Sequence, residues 1–171
     1  MARFIACCAV VALASFATAD DAAIKKTAKA KAEECQNALI TGDYEKFADL
    51  SHPVVITVSG GRKKMIESMA VEMKKQNEAG TVFKAVKVDD PTDPVPVGKE
   101  LYIVVPFTYE IATKANRVAV KSSLLGISGD GGKTWAFVDA FAGRESVKKS
   151  FPDLPDKLEF PKKEPPTVIK D

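Results

Sequence analysis

The stretch 50-LSHPVVITVSGGRKKMIESM-69 decides how the first half of the chain is read. It holds His52, the only histidine, with a proline directly after it. A residue before proline is pushed out of the α region, so a helix arriving from upstream should stop by Ser51 or His52. Residues 54–58 are all β-branched, which predicts a strand. Gly60-Gly61 then turns the chain. Arg62 opens a helical pattern with Met65, Met69 and Met73 at steps of four, and Gly80 ends it. The segment therefore reads as three joints in series: a helix stop, a strand, and a turn into a helix. One imidazole cannot build a histidine-rich metal site, and no G-x-S-x-G elbow accompanies it. His52 is expected to serve a helix end, bonding free carbonyls and complementing the dipole. The Gly60-Gly61-Arg62 entry, with free N–H groups and a guanidinium, makes Arg62 a candidate anion-binding residue.

Upstream, residues 22–40 place Ile24, Ala28, Ala32, Cys35 and Leu39 at helical spacing between lysines and glutamates. Gly42 interrupts, and a short helix from Asp43 to about Leu50 follows, with Asp43 as N-cap. Further back, Arg3, the uncharged apolar run 4–16 and the small-x-small triplet Ala17-Thr18-Ala19 have the anatomy of a secretory signal peptide. Cleavage is expected after Ala19, leaving a secreted or periplasmic protein that is soluble and carries no membrane segment. Cys7 and Cys8 would leave with that leader. Cys35 then has no cysteine partner for a disulfide or a metal site. Twenty-five basic against 23 acidic residues give no nucleic-acid footprint, and nothing in the chain calls for a cofactor.

Downstream the pattern changes to strands. Residues 81–88 alternate. Residues 90–94, with Pro91 and Pro94, read as a rigid loop. Residues 101–113 form a long strand whose odd positions make an apolar face. Residues 118–128 and 134–142 complete a meander of four strands, with a short helix at 145–150. Five of the ten prolines (152, 155, 161, 165 and 166) fall in the tail 151–171, which is expected to be extended, either disordered or laid along the body. The domain plan is a leader (1–19), one α+β domain (20–150) and the tail. Helices gathered before an antiparallel sheet predict an α+β fold.

The residues 38-ALITGDYEKFADLSHPVVI-56, 60-GGRKKMIESM-69 and 130-DGGKTWAFVDA-140 carry a resemblance. In their order and punctuation they resemble the nuclear transport factor 2-like superfamily, which includes ketosteroid isomerase-like and polyketide cyclase-like proteins. The resemblance implies N-terminal helices packed on a strongly curved, mostly antiparallel sheet, a cone-shaped, cystatin-like roll with a pocket inside. The function it suggests is non-catalytic binding of a small apolar ligand, with Tyr44, Met69, Phe107, Tyr109, Trp135 and Phe137 lining the pocket. A second reading makes Asp139 the catalytic base of a ketosteroid isomerase- or dehydratase-like proton transfer, because a desolvated carboxyl with a raised pKa suits that role. A third is a protein-interaction module, dimerising through the sheet's outer face. Separately, 128-SGDGGKTW-135 fits S-x-D-x-G-x-T-W, the Asp-box turn. Its residues can bond the turn's own backbone while Trp135 packs beneath. A single copy points to a structural turn rather than a propeller.

Overall fold

A stripe of small side chains sets how closely the first helix lies on the sheet. The computed structural model describes residues 18–170, so the expected leader lies outside the described residues except for its last two. Helix α1 (Thr18–Thr41) buries Ile24, Ala28, Ala32, Cys35 and Ala38. Steps of three and four put these on one face. Helix α2 (Tyr44–Leu50) begins as expected at Asp43, whose carboxylate accepts the Lys46 N–H at 3.1 Å.

The expected strand at 54–58 is a helix, α3 (Pro53–Val58). Its β-branched residues favour extended backbone, yet the punctuation at both ends outweighs them. Pro53 occupies the first turn, where its fixed φ suits a helix and its missing N–H costs nothing. His52 caps that end from outside, so it starts α3 and stands clear of the end of α2, which Ser51 caps. At the other end Gly60 and Gly61, at φ 83° and 99°, let the Gly60 and Gly61 N–H groups bond the Thr57 and Ile56 carbonyls. A bridge of Ser51 to Phe137 is the sheet-like contact beside α3 among the described residues. Helix α4 (Arg62–Glu78) follows, packs chiefly on α2 and buries Met65 and Met73.

The sheet comprises β1 (Val82–Val88), β2 (Val95–Val97), β3 (Glu100–Ala112), β4 (Arg117–Ser128), β5 (Ala136–Asp139) and β6 (Thr167–Ile169). Its order is β1-β3-β4-β5, with β2 beside β3 and β6 beside β4, all antiparallel. The edges β1 and β5 do not pair with each other, so the sheet is open and is not strongly curved. The cone-shaped, cystatin-like roll is thereby overturned, and with it the likeness to the nuclear transport factor 2-like superfamily. A first strand at 54–58, which carried that likeness, is replaced by a helix, and the curved sheet it implied is replaced by an open one.

Alternation along the strands serves two buried faces. Ile103, Val105 and Phe107 of β3, Leu124 of β4 and Phe137 of β5 pack with α1 and Trp135. Tyr102, Val104, Leu125, Ile127 and Val138 point the other way, under Val147 of α5 (Arg144–Lys148) and Leu154 and Leu158 of the tail. The sheet face away from α1 is thus covered by the chain's own C-terminal segment. Arg144 fixes that cover. It donates to the Leu158, Leu154 and Pro155 carbonyls and to Asp156, at 2.8, 3.0, 2.7 and 3.0 Å. Strand β6 then pairs with residues 117–119.

Gly126 marks how tightly the α1 side is filled. A Cβ there would stand 3.0 Å from Ile103 and Phe137 and 3.2 Å from Trp135. Gly126→Ala is expected to destabilise by about 1–2 kcal/mol through overpacking. A lowered urea midpoint at unchanged slope would show it; an unshifted midpoint would mean that the core yields freely.

Candidate functional site

The Asp-box turn forms as its spacing requires. Ser128 Oγ donates to Asp130 at 2.8 Å and accepts the Gly132 N–H at 2.8 Å. Asp130 accepts the N–H groups of Lys133 and Thr134 and the Thr134 hydroxyl, at 3.0, 2.9 and 2.7 Å. These bonds, those from Thr134 above all, hold the carboxyl down at about 2. Trp135 lies buried beneath and donates to Gly132 O and Thr27 Oγ1 at 3.1 and 3.3 Å. Thr27 belongs to α1, so the turn clamps helix to sheet. The turn also fills residues 128–135, which leaves the last expected strand, 134–142, only β5.

The apolar, cone-shaped pocket is not there. Phe107, Trp135 and Phe137 are buried members of the core that the α1 alanines press against. With residues this small on the helix, its backbone comes close enough for strand side chains to fill the interface. A hollow of about 980 Å³ is an open groove between the start of α1, the β1–β2 loop and the tail, lined by Lys25, Asp93, Pro96, Pro155 and Glu159 among others. It holds none of the expected lining residues. Tyr44 lines a separate groove beside Met73 and Phe83. Met69 is half-buried on α4. Arg62 bonds Asp49 at 2.7 Å and also Glu45, and these carboxylates engage its guanidinium.

What the fold does bring together is polar. Phe137 and Asp139 face the α1 side of the sheet, with Asp139 opposite Leu124. The Asp139 carboxylate accepts the Phe141 N–H at 2.9 Å, its one hydrogen bond among the described residues. Burial raises its pKa, and the bond from Phe141 offsets part of that rise. Water still reaches the residue. It is walled by protein on one side and open to solvent on the other. Cys35 and Tyr109 stand within electrostatic reach. Burial pushes the Cys35 thiol up to about 12, with Glu34 and Asp139 adding to it. Burial, then Asp139 and Cys35, raise the Tyr109 phenol. Tyr109 donates to Oε1 of Gln36, which is 2 % exposed and makes no other side-chain hydrogen bond among the described residues. Whichever way the amide is turned, one end is left over. Ser122, on the same sheet face, has a buried hydroxyl that is also without a partner among the described residues. Gln36 and Ser122 escaped the sequence reading. A glutamine beside the apolar stripe of α1 was the available signal for the first, while Ser122 gave none.

No group of three metal-ligating residues occurs among the described residues, and no helix there is long and apolar enough to cross a membrane. No family model, no curated protein and no solved structure matches the chain.

Proposed function

We propose that the protein binds a small molecule bearing N–H donors, an amine or an amide, at Asp139 and Tyr109 on the α1 side of the sheet, with Gln36 bonded behind Tyr109. The observation that carries this reading is Asp139 itself. Its pKa is raised by burial, it forms no ion pair among the described residues, and it lies within electrostatic reach of Tyr109, which bonds a nearly buried amide with hydrogen-bonding capacity left over. An ammonium or amide N–H would satisfy the carboxylate and the Tyr109 oxygen, while the Gln36 amide would meet a carbonyl or hydroxyl. Asp139 is the residue that would exchange a proton on binding. Residues 1–19 support the further reading that this happens outside the cytoplasm, after export. A mature N-terminus at Asp20, found by mass spectrometry, would bear that out.

Asp139→Asn separates a binding residue from a packing one. A carboxyl with a raised folded pKa contributes stability that is full below the unfolded value, near 3.8, and is lost as pH rises through the folded value. Asparagine stays neutral and can still accept the Phe141 N–H. The variant is therefore expected to melt higher than the parent at neutral pH, and the gain should vanish in acid. In a calorimetric screen of small primary amines and amides, the same variant is expected to lose binding at least tenfold, the order of one charge-assisted hydrogen bond. A variant that melts no higher and binds equally well would remove Asp139 from the site.

A further inference from the structure

Helix α3 is built from residues that prefer strands, so its ends must hold it. The N-terminal hold is a single imidazole. The Val54 N–H donates to His52 Nδ1 at 3.2 Å. Accepting that bond takes the Nδ1 lone pair and places the ring proton on Nε2. The His52 N–H donates to the Phe137 carbonyl of β5 at 2.8 Å. The ring meets Phe151 of the tail edge-on, with centroids 5.2 Å apart. One residue therefore joins α3, the sheet edge and the C-terminal cover.

We infer that protonation of His52 releases the start of α3, making the joint a pH-operated latch. A proton on Nδ1 turns the acceptor into a donor that faces another donor, so the cap is lost. What remains is Pro53 in the first turn, the Gly60–Gly61 turn at the far end and the partial packing of Val55. Six residues are far too few to be helical alone. The β-branched composition works against it, and none of its side chains is fully buried. The cleft around the ring, about 390 Å³ and open to solvent, gives protons access.

The groups facing His52 set where the latch trips. Asp49 of α2 shares the cleft and is bound to Arg62. Glu100 of β3 also lines it and accepts the Tyr102 hydroxyl at 3.3 Å. On the tail side, Asp153 lies within electrostatic reach of Tyr102. Glu100 favours the imidazolium but burial outweighs it, so the His52 pKa is lowered from its usual value. A lowered folded pKa means that the stabilisation is present above the ordinary histidine range. It is lost as pH falls through the folded value.

Amide hydrogen exchange on the full chain tests this. In the parent, protection of Val54, Val55 and Ile56, corrected for intrinsic exchange, is expected to fall five- to tenfold between about pH 7.5 and about pH 5, the order of one N-cap. His52→Asn caps without titrating and is expected to keep its protection throughout. His52→Ala should be poorly protected at both ends of the range. If His52→Ala does not fold, the parent and His52→Asn decide the matter between them. A parent with flat protection, or a fall that persists in His52→Asn, would overturn the latch.

Discussion

Trp135→Ala is expected to cost about 3–5 kcal/mol and to lower Tm by roughly 10 °C. Two losses add. The indole is 4 % exposed and packs with Ile24, Ile103 and Phe137, so its removal leaves a cavity in the core between α1 and the sheet. Its N–H also reaches Gly132 O and Thr27 Oγ1, so the tie between the turn and α1 weakens. Collapse into the gap is hindered because Gly132 already lies against Ile24, with space there too short even for a Cβ. Trp135→Phe keeps most of the volume and should lose only about 1–2 kcal/mol, the share of the hydrogen bonds. Urea unfolding of both variants reads the difference directly. Equal losses would mean that the bonds, and not the packing, dominate.

Arg144→Ala is expected to cost about 2–4 kcal/mol, because hydrogen bonds from a charged group are worth more than neutral ones and four are lost together. The loss should be local first. Residues 151–166 should become sensitive to protease while α1 and β3 stay protected, and an apolar dye should bind the uncovered face. Arg144→Lys should recover little, since one ammonium cannot span acceptors that the planar fork reaches together. A tail that resists protease in Arg144→Ala would show that Leu154, Leu158 and β6 suffice to hold it.

The sequence was most readable where one pattern acted alone. The long apolar run of β3, the periodicity of α1 and the Asp-box spacing each pointed to one element, and each element formed. It misled where two signals competed. At 53–58, side-chain preference favoured a strand while proline, histidine and glycine punctuation favoured a helix, and the ends won over the middle. The open sheet was not foreseen, because curvature follows from how helices seat on strands, and the alanines of α1 seat it too closely for a cavity. A clue to the second layer was present in 101-LYIVVPF-107. Its even positions Tyr102 and Val104 are as apolar as its odd ones, which is the mark of a strand covered on both faces. The candidate site was only half visible. Asp139 stood out in an aromatic strand, but Cys35, which lies within its electrostatic reach, is a hundred residues earlier, and only the fold brings them together.

The C-terminal cover has a consequence for how the chain is made. Synthesis runs from the N-terminus, so β3, β4 and β5 emerge before the segment that shields Tyr102, Val104, Leu125 and Ile127. For as long as residues 151–169 are still being added, that face of the sheet is bare. A translating ribosome therefore carries an adhesive intermediate that cannot finish folding, and a holdase has a defined interval in which to bind it.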